Sequence, residues 1–148
     1  MVIYDDRPGI EQLRAMAAGD TQAPGIGRSL HFHLTEVEEG RVVFEGVPGD
    51  HATNPIGTVH GGYAATLLDS ACGCAVHSRL APGQGYTTLE LKVAYHRAMT
   101  IDSGPVRAVG EVISMGRRAA FAEAKLIDSA DRLIASATST LLVFDRRA

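Results

Sequence analysis

Cysteine is scarce in this chain of 148 residues. Only Cys72 and Cys74 occur, one residue apart in a stretch that predicts a helix, where their side chains point about 200° away from each other. They cannot easily pair with each other or hold one metal ion together. We therefore expect two small buried thiols in a reducing compartment rather than a disulfide framework.

The chain also lacks an excess of basic residues and any long apolar run. It has 14 Lys and Arg against 17 Asp and Glu, without the basic stripe that is typical of nucleic-acid binding. No run approaches the length of a membrane span, and the acidic start, Met1–Asp6, has no apolar signal region. We expect one cytoplasmic domain over residues 1–148 that binds neither nucleic acid nor membrane.

Several catalytic motifs are missing as well. No Gly-x-Ser-x-Gly occurs, which argues against a serine hydrolase, and no glycine-rich phosphate loop of the usual spacing is present. His31 and His33 share a face of a predicted strand, but no third ligand accompanies them, so we expect no metal site.

The patterns that are present predict an α+β fold. Apolar spacing indicates a short amphipathic helix over 10–18, a loop to Gly27, and a helix over 60–79 that is apolar nearly all round and therefore buried. Period-two patterns and turn residues predict six strands, at 29–37, 41–47, 86–97, 104–115, 118–128 and 132–144. An antiparallel sheet wrapped around the one buried helix fits this order.

A polar cluster lies where the buried helix begins. Asn54 and His60 precede Gly61 and Gly62, and a single acid, Asp69, follows inside the apolar helix. The first amides of a helix have no internal partners and carry partial positive charge. Because glycine has no side chain to block a ligand, the Gly61 amide is placed to polarise a carbonyl oxygen and stabilise an oxyanion. His60 and Asn54 are placed to orient a substrate or a water.

The spacing of Gly61 and Asp69 restricts how they can act together. Eight residues separate them, which is about 12 Å along a helix and too far for one carbonyl group to touch both. Either the two have separate roles, or a two-fold axis brings Asp69 of a second subunit to this Gly61. We favour the second interpretation, because no basic residue within one turn gives Asp69 a structural role.

Nearly the whole chain, about residues 28–144, resembles one family. The matching residues are the polar cluster and several later stretches: Asn54, Gly57, Thr58, His60–Gly62, Leu68–Ala71, Thr87–Tyr95, Gly116–Arg118, Ala122–Ala124 and Ala135–Thr140. They resemble the hotdog-fold acyl-CoA thioesterases, specifically the phenylacetate-pathway (PaaI-like) branch. The resemblance implies a curled antiparallel sheet around one long helix, hydrolysis of an acyl-CoA to free acid and CoA, and a dimer or a dimer of dimers.

The resemblance also implies a role for each residue of the cluster. Asp69 is the catalytic carboxylate, either as general base on water or as nucleophile, and Thr88 assists it. The Gly61 amide polarises the thioester carbonyl, Asn54 positions the water or the carboxylate, and His60 orients the thioester. The amide side and the carboxylate side of the site come from neighbouring subunits.

The choice of Thr88 over Thr87 depends on strand register. A period of two puts Thr88 on the face of Glu90 and Lys92. It puts Thr87 on the face of Leu89. Bulges are common near sites and change this parity.

Arginines near strand ends are the candidates for contacts with coenzyme A. Coenzyme A is part of the substrate, so we expect no separate cofactor. Arg117 and Arg118 occupy a hairpin turn, either as solvated turn charges or as contacts for the coenzyme A phosphates, for which Arg is well suited. The segment 96–98 departs from the hydrophobic-Arg-Pro pattern that is common in the family, so we expect an altered pocket rim.

Two other functions remain open. A protein of the same fold can bind acyl-CoA or another small ligand without turnover. A hotdog hydratase or dehydratase places a His base beside the helix acid, but His77 lies two turns beyond Asp69, so this function is less favoured. The acyl group is not identified, since four side chains suit either an apolar acyl pocket or the core: Tyr63, Leu67, Tyr95 and Phe121.

Overall fold

The structure is a computed structural model and describes residues 5–21 and 25–146. Its helices are α1 (Gly9–Ala17), α2 (Gly25–Leu30) and α3 (Gly61–His77), with short 3-10 turns at Asp50–Ala52 and Ile101–Ser103. Its strands are β1 (Phe32–Glu38), β2 (Arg41–Gly46), β3 (Gln84–Tyr95), β4 (Val106–Met115), β5 (Ala119–Asp128) and β6 (Leu133–Asp145). No helix among the described residues is long and apolar enough to cross a membrane.

The strands form one antiparallel sheet in the order β1-β2-β4-β5-β6-β3, and this sheet curls around α3. The buried face of α3, which includes Leu67 and Leu68, forms the centre of the core. Helix α3 and the sheet approach closely at Gly110 of β4. A Cβ at this position would overlap the backbone carbonyl of Ala71. The predicted α+β hotdog arrangement is confirmed, and β1 and β3 are its two edge strands.

One stripe of α3 is partly exposed, although the other faces are buried. Gly62, Thr66, Asp69 and Ser70 follow helical spacing along this stripe. The prediction of a buried helix is therefore confirmed for most of its surface. Asp69 itself is half-buried rather than enclosed, so its carboxylate remains within reach of a ligand.

The first predicted strand begins too early. Ser29 and Leu30, which were predicted to begin this strand, belong to α2, and β1 begins only at Phe32. The first residues of α2 lie in the stretch that was predicted as a loop to Gly27. His31 between α2 and β1 has a left-handed backbone with φ 55°, which turns the chain between helix and strand. His31 and His33 therefore do not share a strand face. The alternation of apolar residues continued by chance across this junction, since one turn of helix is too short to show its own period.

The end of α3 is held by α1. The amide of Gly9 donates to the carbonyl of Leu80 at 3.0 Å, and Nε2 of His77 bonds the side-chain oxygen of Gln12 at 3.1 Å. His77 is only 2% exposed. Burial lowers the pKa of His77 to about 4, and the charge of Arg146 acts in the same direction.

We predict that His77 makes the stability of the protein fall in mild acid. The unfolded chain takes up this proton near pH 6.5, whereas the folded chain takes it up only near pH 4. The contribution of neutral His77 is thus complete above pH 6.5 and is lost as the pH falls towards 4. It corresponds to about 3 kcal/mol of the free energy of unfolding.

Denaturant unfolding at a series of pH values between 8 and 4 tests this prediction. His77→Gln should lower the stability at neutral pH and remove most of the slope in this window. His33→Gln, which changes an exposed histidine, is the matched control and should retain the wild-type slope. An unchanged slope in His77→Gln contradicts the prediction.

Candidate active site

His60 is the N-cap of α3. Its Nδ1 accepts a hydrogen bond from the Gly62 amide at 2.8 Å, and its own amide donates to the Ala52 carbonyl at 2.7 Å. An Nδ1 that accepts cannot carry the proton, so the ring proton is assigned to Nε2. His60 therefore offers an N–H donor beside the first turn of the helix.

The amide of Gly61 is the next donor at this helix start. It has no hydrogen-bond partner among residues 5–21 and 25–146. The carbonyl of Gly61 accepts from the Tyr95 hydroxyl at 2.7 Å, and a Cβ on Gly61 would lie 3.0 Å from that same ring. The free amide and the helix dipole together favour a negatively charged oxygen at this position.

Asn54 builds the loop that leads to this helix. Its Oδ1 accepts from the Ile56 amide at 3.1 Å, and its Nδ2 donates to Thr58 Oγ1 at 2.9 Å. The loop also turns through Gly57 with φ 86°, a left-handed conformation that favours glycine. The structure thus gives Asn54 a loop-forming role, and one hydrogen of its amide group remains for a water or a substrate.

These groups line one cavity, which we call the amide cavity, of about 550 Å³. Its walls include Asn54, His60 and Gly61 from the helix side. Tyr95 and Arg97, from the end of β3 and the segment after it, line it as well. The sequence indicated Arg97 only as part of an altered rim. Arg97 reaches this cavity because it follows directly after β3, the strand whose Tyr95 covers Gly61.

Asp69 lines a different cavity, which we call the carboxylate cavity, of about 520 Å³. Thr88 Oγ1 donates to Asp69 Oδ1 at 3.0 Å. No Lys, Arg or His forms an ion pair with Asp69 within the part of the chain that the structure describes. Hydroxyl donation leaves Oδ2 for a ligand, so this carboxylate has the arrangement of a reactive group rather than of a structural ion pair.

A bulge in β3 turns Thr88 towards Asp69. The pairing of β3 with β6 shifts between Thr88 and Glu90, so Leu89 is an extra residue in β3. The strict period of two placed Thr88 on the outer face with Glu90, and this expectation is wrong because of the bulge. Thr87 is exposed, whereas Thr88 faces α3.

One subunit does not bring the two halves of the cluster together. The amide cavity and the carboxylate cavity share no lining residue. Gly61 and Asp69 lie eight residues apart on the continuous helix α3, about 12 Å along its axis. The structure therefore keeps the oxyanion position and the carboxylate of one chain in separate places, as the spacing predicted.

The remaining candidates lie elsewhere. Arg117 and Arg118 occupy the exposed turn between β4 and β5 and line neither cavity. Of the four proposed pocket side chains, Tyr63 and Leu67 are core residues and Phe121 is 45% exposed. Only the fourth, Tyr95, lines one of these cavities, and it is the amide cavity. The alternative left open by the sequence is thus decided for Tyr63 and Leu67, which belong to the core, and none of the four lines the carboxylate cavity.

The two cysteines are free thiols. Burial raises the pKa of both Cys72 and Cys74 to about 12. Burial therefore favours the protonated thiol at both positions.

Known proteins resemble this chain over most of its length. Human acyl-coenzyme A thioesterase 13 is 29% identical over 134 residues, 88% of this chain and 93% of that protein. A 1,4-dihydroxy-2-naphthoyl-CoA hydrolase of Listeria monocytogenes is 25% identical over 123 residues, 83% of this chain and 98% of that protein. A phenylacetic acid degradation-related protein of Ralstonia eutropha has a solved structure with a TM-score of 0.79 and 25% identity, covering 88% of this chain and 98% of that one.

The family comparison agrees with the fold. The model of the thioesterase superfamily matches residues 56–135, which include the start of α3, Asp69 and Thr88. The chain therefore belongs to the thioesterase superfamily, with the hotdog fold and the PaaI-like pattern of residues.

Proposed function

We propose that this thioesterase hydrolyses an acyl-CoA at a site that two subunits share. The observation that carries the proposal is the separation of the free Gly61 amide from the Thr88-bonded carboxylate of Asp69 within one chain. The names of the human and Listeria relatives, an acyl-coenzyme A thioesterase and a naphthoyl-CoA hydrolase, support a CoA thioester as substrate.

The chemistry follows from the two half-sites. The thioester carbonyl oxygen accepts from the Gly61 amide and from Nε2 of His60, and both donors strengthen as negative charge develops on that oxygen. Asp69 of the second subunit either takes a proton from the attacking water or attacks the carbonyl itself and is released by water. The C–S bond breaks, the CoA thiolate takes up a proton, and the free acid leaves.

The edge strand β3 supports this assembly. It runs antiparallel to α3, since Tyr95 contacts Gly61 at one end and Thr88 contacts Asp69 further along. Its outer edge pairs with no strand of the described residues, and such an edge favours pairing with another chain. Pairing two copies of β3 about an axis at Lys92, which lies midway between Thr88 and Tyr95 in the register with β6, places Tyr95 opposite Thr88 of the second copy. That arrangement brings each Gly61 to the Asp69 of the other subunit.

The arginines supply the charge for coenzyme A in this proposal. Arg97 lies in the amide cavity, on the side where the sulfur of the thioester leaves. Arg117 and Arg118 lie in the turn before β5. Ala120 at the start of β5 and Thr88 of β3 both pair with Leu141 of β6, so this turn lies at the end of the sheet where Thr88 is found. In the shared site they approach the same coenzyme A from the subunit that supplies Asp69.

The alternative functions have less support. In a hydratase, a histidine would act beside the helix acid, but His77 is buried and bonded to Gln12. A protein that only binds a ligand does not require the Gly61 amide and the Asp69 carboxylate to act on one carbonyl group. Measurement of CoA release against CoA-ester binding separates it from the thioesterase.

We predict that Gly61→Pro will remove most turnover. Proline deletes the amide hydrogen and is well accepted at the first position of a helix. His60 already has the extended backbone, φ −62° and ψ 135°, that a residue before proline prefers. We expect kcat for acyl-CoA hydrolysis, followed by free-thiol release, to fall about 10²–10³-fold.

Gly61→Ala is the matched control for this change. Its Cβ meets the Tyr95 ring at 3.0 Å as the proline does, but the amide hydrogen stays. Most of the activity should therefore remain. Equal losses in the two variants would show that space beside Tyr95, and not the amide, determines the rate.

We predict that Thr88→Val will lower kcat/KM about 10–100-fold, because a hydrogen bond to a charged group contributes about 1.5–3 kcal/mol. The substitution keeps the branched shape and removes only the donor to Asp69. Thr87→Val, on the exposed face of β3, is the control and should stay close to wild type. A larger loss of activity in Thr87→Val than in Thr88→Val would show that Thr87 supplies the assisting hydroxyl and would contradict the prediction.

The shared site itself is tested with two inactive variants. Asp69→Ala should lower turnover about 10³-fold while the protein stays folded. Mixed assembly with Gly61→Pro subunits should restore activity, since each hybrid dimer contains one intact pair of groups. Random mixing restores about a quarter of the wild-type sites in a two-fold dimer. Confirmed hybrids without recovered activity contradict a shared site, and an active Asp69→Ala contradicts the mechanism.

A further inference from the structure

The carboxylate cavity extends well beyond Asp69. Asp69, Ser70, Cys74 and His77 all line it, so it follows α3 for about 12 Å. Met16 of α1 also lines it. This helix is docked on the end of α3 through Gly9 and Gln12.

The walls of this cavity are mainly apolar. Phe32 and Phe44 contribute an edge-to-face ring pair with centroids 5.8 Å apart, and both are nearly buried. Leu34 and Met16 add aliphatic surface. None of the described residues that line it is Lys or Arg. A cavity of this chemistry suits an uncharged apolar group and not the phosphates of coenzyme A.

We infer that the acyl group of the substrate lies in the carboxylate cavity of the subunit that supplies Asp69, and that α1 limits its length. This inference rests on the proposed function. The thioester carbonyl must lie at Asp69, and the sulfur side faces the arginine-bearing amide cavity of the other subunit. The acyl side then has the apolar cavity along α3 as its path. The substrate class is an apolar acyl group, ring-bearing or linear, that ends against Met16.

Met16 is the specificity-determining residue in this arrangement. It is half-buried on α1 and packs against the core without a hydrogen bond of its side chain. Shortening it to Ala opens the end of the cavity towards longer acyl groups. Replacing it with Trp shortens the cavity. Loss or gain of apolar contacts in such a pocket changes discrimination about tenfold or more.

The experiment measures kcat/KM for butyryl-, octanoyl-, lauroyl- and phenylacetyl-CoA by free-thiol release. Met16→Ala should raise the lauroyl-to-butyryl ratio about tenfold, and Met16→Trp should lower it. Met16→Leu, of similar volume, should change it little. Met115→Ala is the matched control, because Met115 is also a half-buried methionine packed on the core but lies outside the cavity.

Hybrid subunits test which chain holds the acyl group. In a dimer of Asp69→Ala with Gly61→Pro, the one working site takes Asp69 from the Gly61→Pro chain. Adding Met16→Ala to that chain should shift the acyl ratio, whereas adding it to the Asp69→Ala chain should not. A shift only in the second case overturns the assignment of the acyl group to the Asp69 subunit.

The outcomes also separate this inference from the proposed function. If the wild type hydrolyses none of these esters, the proposed function fails and the inference fails with it. If it hydrolyses them with a ratio that Met16→Ala and Met16→Trp leave unchanged, only the inference is overturned. Thermal unfolding of each variant, compared with Met115→Ala, shows whether α1 remains docked when the ratio changes.

Discussion

The continuous, mostly buried helix α3 is the constraint on which the site depends. A helix rises about 1.5 Å per residue, so two groups eight positions apart cannot meet at one carbonyl. The close packing of Ala71 on Gly110 holds α3 against the sheet. The Gly61 amide and the Asp69 carboxylate of one chain therefore lie apart. The proposed site between two subunits is built on this separation.

The edge strand β3 connects the two halves. At one end Tyr95 covers Gly61, and further along Thr88 holds Asp69. The bulge at Leu89 turns Thr88 inward, and β3 pairs with β6 on both sides of it. One strand therefore positions both half-sites and also offers the free edge through which a second chain can align them. In this way sheet pairing and active-site geometry depend on the same residues.

Much of the fold could be predicted because its elements carry strong periodicity. The predicted ends of α1, α3 and the strands lie within two residues of the observed ends, except that β1 begins three residues later than predicted. The helix α2 was missed, since six residues are too few to show a helical period and the alternation ran on across His31. The face of Thr88 was mistaken for the related reason that a single inserted residue reverses the parity of a strand.

The sequence by itself determined the composition of the site and the distance within it. In a continuous helix, the distance along the axis between the first glycine and an acid eight residues later is the same whatever surrounds the helix. Only the tertiary structure decided which residues meet across elements: Thr88 with Asp69, Tyr95 with Gly61, and α1 with the cavity along α3. These contacts join segments that lie far apart in the chain. Their existence depends on sheet register and helix docking, which local patterns do not encode.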